Sequence, residues 1–259
     1  MRSGILFLNG SLGTEILEYL LMQPDIKIEA IVLNSPKKQS GKYENHIREI
    51  IGKVNLDISI FETSLHLWGN DNFQKILNKA EFGVSALYGH IIPISSLTKI
   101  RILNLHPSLL PIGRGADPIA WSIIEGKNQG VSIHEIDGGL DTGPIIFQEQ
   151  IEVDISMNAA IIYEIAMSKL LQIFKDKFGL WLEGKLTKSV QSQIGTYHKS
   201  SELKELRLSL QQEGNEFEKF IREMMALTYN DGRKPILNLG DGKKWEVEMM
   251  LKEVKNKEM

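Results

Sequence analysis

The first forty residues constrain the fold more than any other stretch. "GILFLNG" (Gly4–Gly10) is a short unbroken apolar run ending in a glycine turn, "TEILEYLLM" follows with apolar residues at helical spacing, and "IKIEAIVLN" (Ile26–Asn34) is a second apolar run. Runs of this length bounded by turn residues fit buried strands, and a helix between two of them makes a βαβ unit. The alternation continues. "DISIFE", "FGVSALYG" and "RILNLH" read as strands, with a helical pattern around "NFQKILNKA". "GVSIHEID" and "PIIFQEQIEV" read as two more strands, and residues from about 156 to 180 as a long amphipathic helix. The expectation is an α/β domain: a doubly wound, mostly parallel sheet with helices on both faces. "SPKKQSGKYENH", polar and punctuated by Gly, Pro and Ser, reads as a loop.

After "WLEGKL" the character changes. A connector, "SVQSQIGTYHKSSELKEL", leads to the helix "NEFEKFIREMMAL" and to "KPILNLGDGKKWEVEMMLKEV", where "GDG" between two alternating runs signals a hairpin. The sequence thus predicts a main domain over residues 1–187 and a small helix-plus-hairpin appendage over 188–259. The hairpin runs carry apolar residues on both faces, more than a lone ribbon can bury, which predicts a homodimer built on this appendage. Trp245 and the Met249/Met250 pair fit packing or that interface.

Of 259 residues, 42% are hydrophobic and 24% charged, and the formal net charge is −3. No basic face for nucleic acid is indicated. With no cysteine, disulfides, thiolate metal sites and a cysteine nucleophile are excluded. The opening apolar run is too short for a signal-peptide core, and no stretch approaches the roughly 20 apolar residues that span a bilayer. A soluble, cytoplasmic protein with no membrane partner is the expectation.

The stretch "NLHPSLLP" (Asn104–Pro111) carries the first chemical signal. Side chains alternate along a strand, so Asn104 and His106 share a face. Pro107 holds His106 extended. In open α/β sheets, ligands bind beyond the carboxyl ends of the strands, and an amide beside an imidazole there supplies donors for a developing oxyanion. Downstream, "GVSIHEIDGGLDTGPII" places Asp141 at the end of a glycine-rich loop, where a carboxylate can orient the imidazole and accept a proton. Asn, His and Asp without a Ser or Cys nucleophile suggest direct attack on a bound carbonyl by a nucleophile of the substrate, an amine being the natural one. His134, inside its strand, reads as core or as support for these groups. "NGSLG" lacks the G-x-G-x-x-G spacing of a dinucleotide site, although its turn at Gly10 can still meet a phosphate. Asp117 before Pro118 reads as a helix N-cap. Arg114 between two glycines reads either as a bidentate phosphate grip or as a structural salt bridge.

"NLHPSLLP" followed about 35 residues later by "GVSIHEIDGGLDTGPII" resembles the paired signature of the 10-formyltetrahydrofolate-dependent formyltransferases, which have a Rossmann-like catalytic domain. The resemblance covers roughly residues 1–185. It implies that Asn104, His106 and Asp141 are the catalytic trio. It also implies that N10-formyltetrahydrofolate is the co-substrate, with its pterin held by His90, Ile91 and Ile92, by Leu109 and Leu110, and by the loop Ile136, Asp137, Gly138, Gly139. No metal is implied.

Within that family, "GTYHKSSEL" and "ALTYNDGRKPILNLG" resemble the linker and C-terminal element of the nucleotide-sugar N-formyltransferases, which make precursors of surface polysaccharides such as lipopolysaccharide O-antigen. The first stretch also reads as a plain connector whose serines cap the next helix. The implied acceptor is the primary amine of a nucleotide-linked amino deoxysugar, contacted by Gly10, Arg114, Tyr197, His198 and Lys199, with the Lys37–Lys42 loop as another phosphate contact. Alternatives are a methionyl-tRNA formyltransferase, a hydrolase passing the formyl group to water, and a non-catalytic folate-binding module. The modest C-terminal part and the balance of 30 basic against 33 acidic residues speak against tRNA.

Overall fold

The computed structural model describes residues 1–35, 41–54, 56–93, 100–153, 157–191, 194–208, 217–229, 234–238 and 244–249. The elements run β1 (Arg2–Leu8), α1 (Gly10–Leu21), β2 (Ile26–Leu33), α2 (Lys42–Val54), β3 (Ser59–Glu62), α3 (Asp71–Leu77), β4 (Phe82–Ala86) and β5 (Arg101–His106). They continue with β6 (Arg114–Gly115), α4 (Pro118–Ile124), β7 (Gln129–Glu135), β8 (Ile145–Ile151), α5 (Ala159–Leu182), β9 (Tyr197–His198), α6 (Ser200–Leu208), α7 (Phe217–Ala226), β10 (Ile236–Asn238) and β11 (Lys244–Glu246). Seven strands form one sheet in the order β3-β2-β1-β4-β5-β7-β8. Pairs β2–β3, β1–β2, β1–β4 and β4–β5 are parallel, whereas β7 lies antiparallel to β5. The mixed, mostly parallel α/β sheet expected from the sequence is present.

Two compact units emerge. The first comprises Met1–His106, Ser132–Phe147 and Ser168–Gln191; the second comprises Pro107–Val131, Gln148–Met167 and residues 192–259. The sequence boundary at 187/188 falls inside the last segment of the first unit.

In the first unit, β4 and the last five residues of β1 are wholly buried, as expected of central parallel strands covered on both faces. One apolar layer gathers Ile5, Phe7, Val32, Phe73, Leu77 and Ile102. Elsewhere in the unit, Phe82 meets Phe178 of α5 edge to face at 5.3 Å. The ring of Phe82 lies where a Cβ on Gly4 would be, so glycine is required there for β1 to sit against β4. The second unit has a smaller core in which Ala120 of α4, Leu203 of α6, and Ala226 and Leu227 at the end of α7 are buried with Trp121 packed on them.

Two local expectations change. The polar stretch read as a loop to His46 turns helical at Lys42, because Ile47, Ile50 and Ile51 bury one stripe of α2. Asp117 does precede α4, but with φ 50° and ψ 44° and without a side-chain capping bond; Pro118 alone supplies the first-turn preference. The C-terminal part contains α6 as well as α7. Strands β10 and β11 pair antiparallel, while the "GDG" turn, the side chain of Trp245 and Met250 lie outside the described residues, as do Lys37 and Lys38.

Candidate active site

Three elements of the first unit build the site. Strand β5 carries Asn104 and His106 on one face. Because β7 runs antiparallel to β5, residues pair directly: Asn104 with His134 and His106 with Ser132. The loop after β7 then brings back Asp141. Its Oδ1 accepts a hydrogen bond from Asn104 Nδ2 at 3.2 Å, and its Oδ2 lies 3.9 Å from His106 Nδ1. The trio read from the sequence is thus assembled around one point, with His106 6% exposed. The 3.9 Å separation is too long for a hydrogen bond.

His134 belongs to the same cluster. Its Nδ1 donates to the Glu135 carbonyl at 3.0 Å, and its Nε2 lies 3.0 Å from Asn104 Nδ2. A carbonyl can only accept, so the Nδ1 edge faces Glu135 as donor, while Nε2 faces both Asn104 and, at 3.5 Å, Asp141 Oδ1. Asn104 Nδ2 thus lies within hydrogen-bond distance of both His134 and Asp141. The sequence placed His134 only as core or support. Its position opposite Asn104 depends on the antiparallel register, which neither strand's own pattern states.

The loop carrying Asp141 is held tightly. Asp137 Oδ1 accepts from Gly139 N at 2.9 Å and from Thr142 Oγ1 at 2.6 Å, which closes the turn around Gly138. A Cβ on Gly143 would run into the Glu135 carbonyl oxygen. Asp141 itself has φ 52°, a left-handed conformation that a non-glycine residue keeps only where its surroundings impose it. Glu135, at the end of β7, is an anchor: its carboxylate accepts from Trp181 Nε1 at 2.8 Å and from Lys188 Nζ at 2.5 Å.

The other positions named from the sequence are placed as follows. Ile92 is buried in the apolar layer of Ile5 and Phe7, with Ile136 packed against that layer, while Ile91 is 75% exposed. His90 Nε2 accepts from Ser35 N at 3.2 Å and its ring lies 5.5 Å from that of Tyr88. The Tyr88 hydroxyl shares a very short hydrogen bond with Thr63 Oγ1. Burial pushes the Tyr88 phenol up to about 12, against the opposing pull of that bond. A Cβ on Gly138 would meet nothing within 4 Å, so this side of the loop is open. Gly10 starts α1 with φ 65° and its carbonyl accepts from Thr14 Oγ1 at 3.2 Å.

In the second unit, Leu109 packs over Gly130, and Leu110 is buried with its carbonyl accepting from Gln148 Nε2 at 2.7 Å. Arg114 and Gly115 pair with Tyr197 and His198. Tyr197 is half exposed, and the Lys199 backbone N–H donates to Glu202 at 2.9 Å. His198 is bound on both nitrogens, to Glu202 at 2.8 Å and to Glu125 at 2.7 Å, and its ring stacks on Trp121 at 3.8 Å. The Lys199 backbone bond and then His198 hold the Glu202 carboxyl below its ordinary value. Neither a cluster of three carboxylates or imidazoles suited to a metal ion nor a helix able to cross a membrane occurs among the described residues.

Comparison with known proteins places the chain in a family. A family model described as formyl transferase matches residues 5–168. A methionyl-tRNA formyltransferase of Thermodesulfovibrio yellowstonii is 39% identical over 139 residues, which cover 52% of this chain and 45% of that one. A dTDP-4-amino-4,6-dideoxyglucose formyltransferase of Mycobacterium bovis is 31% identical over 160 residues, 61% of this chain and 68% of that one. The chain spans about half the length of the methionyl-tRNA formyltransferases it matches. A solved structure of a sugar N-formyltransferase from a Shewanella species superposes with a TM-score of 0.79 at 22% identity, covering 98% of this chain and 99% of the other. With the family model matching well over half of its length, the chain belongs to the formyl transferase family.

Proposed function

We propose that the protein transfers a formyl group from N10-formyltetrahydrofolate to the primary amine of a nucleotide-linked amino deoxysugar, a precursor of surface polysaccharide such as lipopolysaccharide O-antigen. The observation that carries the chemistry is the convergence of Asn104, His106 and Asp141 at the end of β5, with Asn104 bonded to Asp141 at 3.2 Å. Nucleophilic side chains of the Ser or Cys type play no part in this reading. The amine nitrogen attacks the formyl carbon, forming a C–N bond and pushing the carbonyl electrons onto oxygen. His106 and Asn104 donate hydrogen bonds to that oxyanion. For Asn104 this means exchanging one of its two present partners, and the longer bond, to Asp141, is the one to yield. Asp141 orients His106 and takes a proton from the attacking amine, directly or through water. When the tetrahedral centre collapses, the bond from carbon to N10 breaks and N10 is protonated, leaving tetrahydrofolate and a formamide. Charge and atoms balance without an oxidant or reductant.

The folate donor is supported by open, apolar elements of the first unit. Ile91 is exposed, and the loop at Gly138 has free space where a side chain would stand. Both suit a flat heterocycle held by backbone groups. The sugar acceptor is supported by the structural likeness along nearly the whole chain to a sugar N-formyltransferase and by the net charge of −3, which offers tRNA phosphates little attraction. A methionyl-tRNA acceptor is the second reading, favoured by the 39% identity to such an enzyme. The same proposal includes a homodimer built on the C-terminal hairpin, since an isolated two-stranded ribbon is marginal in water.

The test mixes enzyme and N10-formyltetrahydrofolate with dTDP-, GDP- and UDP-linked 3-amino and 4-amino deoxysugars, with methionyl-tRNA as competitor, and follows folate release by absorbance. Turnover on one or more sugars with none on methionyl-tRNA is expected. Turnover on methionyl-tRNA with silence across the sugars would overturn the acceptor while sparing the chemistry. Light scattering should give a dimer at micromolar concentration; a monomer would remove the hairpin's proposed role.

A further inference from the structure

The segment after α5, Lys188–Gln191, lies beyond the residues matched by the family model, and it is fastened to the loop that carries Asp141. Lys188 Nζ meets the Glu135 carboxylate at 2.5 Å. Ser189 and Ile145 form an antiparallel bridge with two backbone hydrogen bonds of 2.8 Å. Gln191 Nε2 then donates to two carbonyls, Asp141 O at 2.8 Å and Gly143 O at 2.7 Å. Val190, between these anchors, is 90% exposed, so the segment runs along the surface with its polar groups turned to the loop.

We propose that Gln191 is a positioning residue for the formyl-transfer reaction, acting through Asp141; this rests on the catalytic reading of Asp141 given above. A primary amide has two hydrogens, and here both go to carbonyls two residues apart, closing the turn from Asp141 to Gly143. That turn needs an outside restraint. Asp141 sits at φ 52°, where a side-chain-bearing residue stays only if its surroundings over-determine it. Gly143 already abuts the Glu135 carbonyl on one side, and Gln191 holds the turn by its own carbonyls. The carboxylate at stake lies 3.2 Å from Asn104 Nδ2 and 3.9 Å from His106 Nδ1. A shift of about 1 Å would prevent the approach to His106 from closing, and misplacement on that scale costs a catalytic group on the order of 10²-fold in rate.

Two variants separate positioning from packing. Gln191→Ala removes the amide, and Gln191→Glu keeps its shape but removes both donors. Each should lower kcat for formyl transfer about 10- to 100-fold with the KM values of folate and acceptor within about twofold and the melting temperature little changed. Introduced into Asp141→Asn, Gln191→Ala should cost less than about another twofold, because a residue that acts through Asp141 is silent once Asp141 is disabled. Equal losses in both backgrounds, or no loss in the wild-type background, would overturn the proposal. Hydrogen exchange supplies a readout independent of turnover: Gln191→Ala should speed exchange of the backbone amides of Asp141, Thr142, Gly143 and Ile145. If the wild-type protein formylates no acceptor, the catalytic reading fails by itself and exchange alone judges the brace. Unchanged exchange would then remove it, and faster exchange with unchanged kcat in an active enzyme would remove its role in positioning.

Discussion

Each compact unit holds a histidine against carboxylate, and the two clusters are built to opposite ends. In the second unit His198 gives both ring nitrogens to carboxylates at 2.7 and 2.8 Å and lies flat on Trp121, 3.8 Å away and 7° from parallel. In the first unit His106 stands 3.9 Å from Asp141, on a loop whose backbone is held in a left-handed turn. An imidazole with both nitrogens bound to carboxylates has no edge left for a reacting group and serves as a cross-link between β9, α4 and α6. The distance from His106 to Asp141 is one that can still shorten, as acid–base pairs often do when substrate binds. The two histidines therefore differ in how closely carboxylate approaches them, 3.9 Å in the first unit against 2.7 and 2.8 Å in the second.

The strongest way to break this contrast is to disarm the slack cluster. Asp141→Asn removes one charge from a loop and should lower turnover about 10²–10⁴-fold while the melting temperature stays near that of the wild type. A variant retaining more than half of normal activity would take Asp141 out of the mechanism.

A locked group inside the first unit sharpens the contrast by separating design from location. Tyr88 titrates at about 12 in the folded protein against 10.0 for an ordinary tyrosine, so its contribution is intact below pH 10. It is lost as pH rises through the folded value, because the unfolded chain gives up its proton first. A two-unit difference corresponds to about 2–3 kcal/mol. Denaturation midpoints between pH 10 and 12 should fall for the wild type and less steeply for Tyr88→Phe; parallel slopes would refute the assignment.

The tight cluster should answer in stability and not in rate. His198→Ala strips Glu125 of its partner and should cost about 1–3 kcal/mol, measured by denaturant melts, with kcat and acceptor KM unchanged. A raised acceptor KM with an unchanged melt would instead make His198 a substrate contact, as the resemblance of "GTYHKSSEL" to the sugar-enzyme linker implies. The smallest effect is expected at Glu202. Its carboxyl is held below the ordinary 4.5 by the Lys199 backbone bond and by His198, so its contribution is present above that value and fades as pH falls through the folded one. Glu202→Gln should soften acid unfolding below the ordinary carboxylate range and leave neutral pH nearly untouched.

Much of this architecture is legible in the sequence because it is local. The apolar runs of β1, β2 and β4 state their burial, and the two-residue spacing of Asn104 and His106 states their common face. What escaped was non-local. His134 stands opposite Asn104 only because β7 is antiparallel to β5, and a strand's own pattern does not state its direction. The double carboxylate contact of His198 is not legible either, because Glu125 lies 73 residues away. Helix α2 hid behind its polar first turn, although Ile47, Ile50 and Ile51 carried the signal at helical spacing. Gln191, in a polar connector, has no pattern at all; its two carbonyl acceptors exist only in the folded loop.

The central claim is that the slack cluster moves a formyl group from a folate nitrogen to an amine. The most direct measurement supplies N10-formyltetrahydrofolate labelled at the formyl carbon together with a nucleotide-linked amino sugar, and locates the label by mass spectrometry and NMR. Labelled formamide on the sugar nitrogen is expected, with one equivalent of tetrahydrofolate released. Label recovered as formate, with the amine unmodified, would contradict it and make the same residues those of a hydrolase.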